Sequence, residues 1–216
     1  MTIDASRITK VREQSGAGVL DCKKALEEAN GNVAQAVDIL RKKGIAKAAK
    51  RAGKIAAEGA VGSYIHGAGK IGVLVEVNCE TDFVAKTDAF QSLVSDIAMH
   101  IAAAAPQYIC SADVPGEHVE KEKDVYREQL KTEGKPAEMI ENIIQGKMAK
   151  FYKEVCLLEQ PFIKDEEKTI QALLDQKTAE IGEKIQVRRF ARFALGEGIE
   201  KETTDFVREV QEQLGA

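Results

Sequence analysis

No apolar run in this 216-residue chain approaches the roughly 20 residues that a helix needs to cross a bilayer. The amino terminus, MTIDASR, lacks the basic, then apolar, then small-residue order of a secretory signal. Together these absences predict a cytoplasmic protein with no membrane segment. Cysteine is equally uninformative as a scaffold: Cys22, Cys79, Cys110 and Cys156 are far apart, with no CxxC pair and no histidine at zinc-ligand spacing. They read most simply as reduced thiols, Cys79 excepted. The chain has no GxGxxG after a strand, no GxxxxGK[ST], no GxSxG and no HExxH. The three histidines, His66, His100 and His118, lie near no serine or cysteine that they could activate. His100, in IAMHIAAAA, reads as a satisfied core or flank residue. No catalytic residue, cofactor or metal site is therefore expected.

What is present is ordinary globular material, 44% hydrophobic, enough for one good core or two small domains. Its charge is uneven. Up to residue 57 there are 12 Lys or Arg against 6 Asp or Glu, and beyond it 19 against 29, so a head of net charge +6 precedes a body of −10. Much of the excess lies in RKKGIAKAAKRAGK, where Arg41, Lys42, Lys43, Lys47, Lys50, Arg51 and Lys54 are uninterrupted by an acid. Clustered cations suit phosphate binding, but a solvated helical linker has the same composition. No aromatic is interleaved to stack on bases, which weakens the nucleic-acid reading.

Three short helical patterns fill the head. Ser6 can cap a first helix with Ile8 and Val11, and Gly16-Ala17-Gly18 separates it from a second carrying Leu20, Ala25, Leu26 and Ala29. Asn32 can cap a third with Val33, Ala36, Val37 and Leu40, which Gly44 is expected to end. The period then changes to alternation. AVGSYIHGAGKIGVLVEVN predicts a hairpin turning at Gly67-Ala68-Gly69, with Ile71, Val73, Val75 and Val77 on one face. A helix follows with the stripe Phe90, Leu93, Val94, Ile97 and Ile101, stopped at Pro106. KIQVRRFARFAL predicts a third strand, marked by Val187, Ala191, Phe193 and Leu195. Between the second and third strands, Met139, Ile140, Ile143, Ile144, Met148, Phe151, Tyr152 and Val155 recur at helical spacing. They call for a partner helix, supplied by Val119, Val125, Tyr126 and Leu130 before the Gly134-Lys135-Pro136 break. The expected class is α+β: a helical head, then an antiparallel three-stranded sheet packed with helices and a projecting helical hairpin.

The tetrapeptide TDFV occurs twice, at Thr81-Asp82-Phe83-Val84 and around Asp205-Phe206. The first copy falls where a strand gives way to a helix. A phenylalanine there ordinarily folds onto its own core, yet an acid and an aromatic on a rigidly held connection can also present a charge and a wedge. The second copy reads as the start of a helix, capped by Thr203 or Thr204, with Phe206, Val210 and Leu214 facing the body.

Four long segments carry a family resemblance: VREQSGAGVLDCKKALEEANGNVAQAVDILRKKG, LVEVNCETDFVAK, GKPAEMIENIIQGKMAKFYKEVCLLEQPFIKDEEKTI and RRFARFALGEGIEK. From about Ile8 to Val210 the chain resembles the elongation factor Ts family, the guanine-nucleotide exchange factors of elongation factor Tu. The resemblance implies a ubiquitin-associated-like three-helix domain with its basic linker over 1–53. It implies a core over 54–216 with a helical hairpin at about 117–180. It implies that Arg12, Val19 and Leu20 of the head meet the G domain of elongation factor Tu. It further implies that Thr81, Asp82, Phe83 and Val84 approach the nucleotide site of elongation factor Tu–GDP and disturb its magnesium, so that GDP leaves and GTP can replace it. Longer members carry two similar half-cores and this chain has material for one. It therefore resembles the short form, for which a homodimer is expected. A nucleic-acid- or ribosome-binding protein using the basic linker is the alternative; the family reading expects no direct nucleic-acid contact.

Overall fold

The structure, a computed structural model, describes residues 3–199. The second TDFV copy, with Asp205 and Phe206, lies outside the described residues. In chain order the elements are α1 (Ala5–Ser15), α2 (Val19–Glu28), α3 (Val33–Arg51), β1 (Glu58–His66), β2 (Ile71–Cys79), α4 (Asp82–Ala85) and α5 (Asp88–Ala104). They continue with α6 (Gly116–Thr132), α7 (Ala137–Val155), β3 (Pro161–Phe162), β4 (Asp165–Thr169), α8 (Ile170–Ile181) and β5 (Gln186–Ala194).

The head closes α1, α2 and α3 around Val11, Cys22, Ala25, Leu26, Ala36 and Leu40, all buried. Asp4, not Ser6, caps α1: its carboxylate accepts from the Ser6 N–H at 3.4 Å and the Ser6 hydroxyl at 2.6 Å. Both residue types cap well, and the one with a full negative charge takes the position facing the positive helix end. Asn32 caps α3 as expected, accepting from the Gln35 N–H at 3.1 Å. Gly44 does not end α3, which continues to Arg51. A glycine inside a helix costs about 1 kcal/mol relative to alanine. Here it lets α3 lie close on α8, where a Cβ at Gly44 would stand 3.4 Å from the Ala179 Cβ. Tertiary packing thus overrides the local stop signal.

The body is an α+β sandwich. Its sheet has the order β1-β2-β5, antiparallel throughout, with Glu58 opposite Cys79 and Asn78 opposite Gln186. Val73, Val75 and Val77 point inward and are buried under α5, whose Phe90, Leu93, Val94, Ile97 and Ile101 meet them. Gly62 permits that close approach, since a side chain there would run into Val94. The α5 helix ends as Ala105 turns to a φ of 47° just before Pro106. His100 is buried in this layer, its Nε2 3.0 Å from the Gln160 side-chain oxygen and its Nδ1 accepting from the Ile163 N–H at 3.4 Å.

The third strand departs from simple alternation. Val77 faces Val187 but Glu76 faces Arg189, so Arg188 is an extra residue bulged out of β5. The bulge flips the phase: Val187 and Phe190 face the core, whereas Ala191, Phe193 and Leu195, which strict alternation would put on the side of Val187, occupy the other face. That outer face carries Val61, Ile65, Leu74, Phe193 and Leu195, all exposed.

Helices α6 and α7 pair through buried Leu130, Ile140, Ile144 and Met148, flanked by Val119, Tyr126 and Ile143. Val125 and Met139, expected in the seam, are exposed. The pair covers 116–155 rather than 117–180. Leu157, Phe162, Ile170, Leu173 and Leu174 instead belong to the main core, through the short β3–β4 pair and α8. The excursion leaves and returns at one point. Tyr108 bridges to Cys156, and the N–H groups of Leu157 and Leu158 donate to the carbonyls of Tyr108 and Ile109, each at 2.9 Å.

Candidate functional site: an anchored, exposed aromatic

Where β2 ends, the chain makes one helical turn before α5. Thr81 is the N-cap of that turn, α4, its hydroxyl accepting from the Val84 N–H at 3.4 Å. At the other end, the Thr87 hydroxyl donates to the Val84 carbonyl at 2.8 Å and the Gln91 amide to the Ala85 carbonyl at 2.7 Å. Val84 packs partly against the core and Ala85 is buried. Phe83 does not fold back: it is 80% exposed. Its neighbour Asp82 accepts from Lys86 at 2.7 Å, and this bond holds the Asp82 carboxyl below its ordinary range and raises Lys86.

Behind the turn lies a cluster of charge. The Glu183 carboxylate accepts from the backbone N–H groups of Glu80 at 3.1 Å and Thr81 at 3.0 Å, and from the Thr81 hydroxyl at 2.7 Å. The Glu80 carboxylate accepts from the Lys184 N–H at 2.7 Å and from the Arg51 guanidinium at 2.9 and 3.0 Å. The Lys184 backbone bond, then Arg51, pulls the Glu80 carboxyl below its ordinary range. Lys184 also donates its ammonium to the carbonyls of Ala52 and Lys54, just past the end of α3. Cys79 is buried, donates to the Thr81 carbonyl at 3.1 Å, and has its thiol pushed up by burial and by the Glu183 charge. It is a packed structural thiol, and all four cysteines are free.

The head residues stand on a separate surface. Arg12 is exposed in the last turn of α1, and Val19 and Leu20 open α2 at 50% and 73% exposure. Gly16, in the turn before them, has a φ of 67° and lies so close to α8 that a Cβ would collide with the Glu180 carboxylate. The end of α8 and the connection after it thus lie beneath both surfaces, Glu180 under the head turn and Glu183 under Thr81. The basic stretch is partly spent within the protein: Lys43 pairs with Glu28 at 2.5 Å, Lys47 with Asp21 at 3.0 Å, and Arg51 with Glu80. Among the described residues no three metal-ligating side chains gather, and no helix is long and apolar enough to cross a membrane.

Glu183 and Glu80 are the site residues that periodicity did not reveal. Glu183 lies 102 residues from Thr81 in the chain. No spacing rule joins them, because only the pairing of β2 with β5 brings the two connections together.

These features describe one kind of site: an aromatic side chain held out from the surface on a one-turn helix that is hydrogen-bonded at both ends. The Elongation factor TS family model matches residues 10–197. The chain is 58% identical to elongation factor Ts of Geobacter sulfurreducens over 215 residues, 100% of both chains. It is 56% identical to that of Acetivibrio thermocellus over 212 residues, 98% of this chain and 99% of the other. To that of Carboxydothermus hydrogenoformans it is 58% identical over 208 residues, 96% of each. The chain belongs to the elongation factor Ts family, and its function is that of a translation elongation factor.

Proposed function

We propose that the chain binds elongation factor Tu in its GDP-bound and nucleotide-free states and drives GDP release, without covalent chemistry of its own, in the cytoplasm. Thr81, Asp82, Phe83 and Val84 form the element that enters beside the nucleotide and displaces magnesium. Arg12, Val19 and Leu20 form the docking surface on the head. The unit over 1–53 serves to dock and the unit over 54–216 to present the wedge. The observation that carries this reading is Phe83, exposed although the core lies beneath its own turn, and held there by hydrogen bonds at both ends of α4. An exposed ring that its own fold does not use is available to a partner.

Linkage sets what the wedge must accomplish. An exchange factor binds nucleotide-free Tu better than the GDP complex, and each ligand weakens the other by the same factor. Burying one phenylalanine is worth about 1.5–3 kcal/mol, one to two decades of binding. Phe83 alone cannot supply a larger coupling; lost magnesium and phosphate contacts supply the rest. The test is release of a fluorescent GDP from elongation factor Tu with and without this protein. Acceleration is expected, and unchanged release refutes the reading. The alternative, a basic linker gripping nucleic acid, is disfavoured by the ion pairs that occupy Lys43, Lys47 and Arg51.

A homodimer is part of the same proposal. Among the described residues nothing lies over the outer face of the sheet, with Val61, Ile65, Leu74, Phe193 and Leu195, and a second copy would cover both faces at once. Sedimentation at micromolar concentration is expected to show the pair and a Phe193→Arg variant to show monomer; a monomeric parent chain contradicts it.

A further inference from the structure

We propose that Glu183 is the positioning residue of the exchange element: through its carboxylate, the connection before β5 sets where Phe83 stands. The inference rests on the exchange role proposed for Thr81–Val84.

The β2–β5 ladder ends at the Asn78–Gln186 pair. Beyond it, side chains replace the ladder in a reciprocal clasp. One oxygen of Glu183 accepts from two successive N–H groups, those of Glu80 and Thr81, while the Glu80 carboxylate accepts from the N–H of Lys184. Each connection thus satisfies the backbone of the other with a charged acceptor, the stronger kind of hydrogen bond. Two carboxylates in one cluster would repel, and the Arg51 guanidinium on Glu80 offsets that repulsion.

The second oxygen of Glu183 matters more for the wedge. It accepts the Thr81 hydroxyl proton at 2.7 Å. A hydroxyl has a single proton, so donation to Glu183 turns the oxygen lone pairs toward the Val84 N–H, where Thr81 caps α4. Glu183 therefore orients the cap as well as the backbone. A helix of four residues cannot hold itself, because its nucleation cost exceeds what one turn of bonds returns. Phe83, largely exposed, contributes little packing to hold it either. The position of the ring is set by what grips the ends of the turn, and at the amino-terminal end that grip is Glu183.

The test uses the full-length chain and fluorescent GDP release from elongation factor Tu, followed to saturation. Glu183→Ala is expected to lower the plateau release rate at least about tenfold, the loss corresponding to one charge-assisted hydrogen bond. The half-saturating concentration should stay near that of the parent, because the head still docks. Glu183→Gln retains one carbonyl acceptor for the two N–H groups and should recover part of the plateau. Amide hydrogen exchange should show Glu80 and Thr81 losing protection in the Ala variant. An unchanged plateau, or amides that stay protected, would overturn the assignment. If the Ala variant does not fold, a Gln variant with the full parental plateau overturns it equally. A parent chain that releases no GDP would instead remove the exchange reading itself.

Discussion

Phe83 and Phe90 are seven residues apart and should respond to the same substitution in opposite ways. Phe83 is 80% exposed and Phe90 is 0% exposed beneath the sheet. Burying a whole phenylalanine is worth about 1.5–3 kcal/mol, so the folded chain draws only about a fifth of that from Phe83, roughly 0.3–0.6 kcal/mol. The remaining 1.2–2.4 kcal/mol or so can be realised only when a partner covers the ring, which corresponds to about an eight- to sixtyfold effect on docking-dependent exchange. Phe83→Ala should therefore leave the melting temperature nearly unchanged while lowering GDP release at limiting protein concentration by that factor. Phe90→Ala should cost about 3–5 kcal/mol of stability, the range for a buried phenylalanine, with release by the surviving folded fraction near normal. The two measurements are a thermal melt and a stopped-flow release trace on each variant. A Phe83 variant as destabilised as the Phe90 variant, or one that releases GDP at the parental rate, would refute the assignment.

Changing Val19 and Leu20 together to Asp should weaken the complex with elongation factor Tu, because a carboxylate desolvated at an interface is costly, while circular dichroism shows the head still helical; parental affinity would exclude this docking surface. His100 predicts a pH dependence. Burial holds its folded pKa below the ordinary 6.5, so the unfolded chain takes up a proton that the folded chain refuses. Its contribution is fully present above that value and is lost as pH falls through 6.5 toward the lower folded value. The melting temperature should fall across this window in the parent chain, and a His100→Gln variant with the same slope would show that another group is responsible.

Elements whose structure follows from their own periodicity were readable in the sequence: Val73, Val75 and Val77 alternate as a strand, and Phe90, Leu93, Val94, Ile97 and Ile101 recur as a helix. The Asp4 cap is a local matter, but two other differences share one physical origin. Gly44 ends no helix because α8 lies against it, and Arg188 reverses the phase of β5 because it bulges from the ladder. In each case the decisive neighbour is distant in the chain. Sequence pattern does not separate the short β3–β4 pair and α8 from the helical hairpin, since Ile170, Leu173 and Leu174 have helical spacing whichever cluster they join. The site divides similarly. Thr81–Val84 stood out as a motif at a strand end, whereas local pattern left open whether Phe83 folds inward. The clasp to Glu183 depends wholly on strand pairing.

The return of the chain beside its own exit, at Tyr108 and Cys156, has a consequence for how this architecture can vary. Because departure and arrival are hydrogen-bonded neighbours, the intervening segment is in topological terms an insertion, closed off at its neck. Extending such a loop adds closure entropy only as the logarithm of its length, about 0.6 kcal/mol for each doubling. The helical pair also keeps its own apolar cluster around Leu130 and Ile144. It can therefore lengthen, shorten or be replaced by another fold without moving the strand end that carries Phe83. The architecture behaves as a fixed mount with an exchangeable arm, and the arm is free to acquire new contacts at little cost to the turn that holds Phe83.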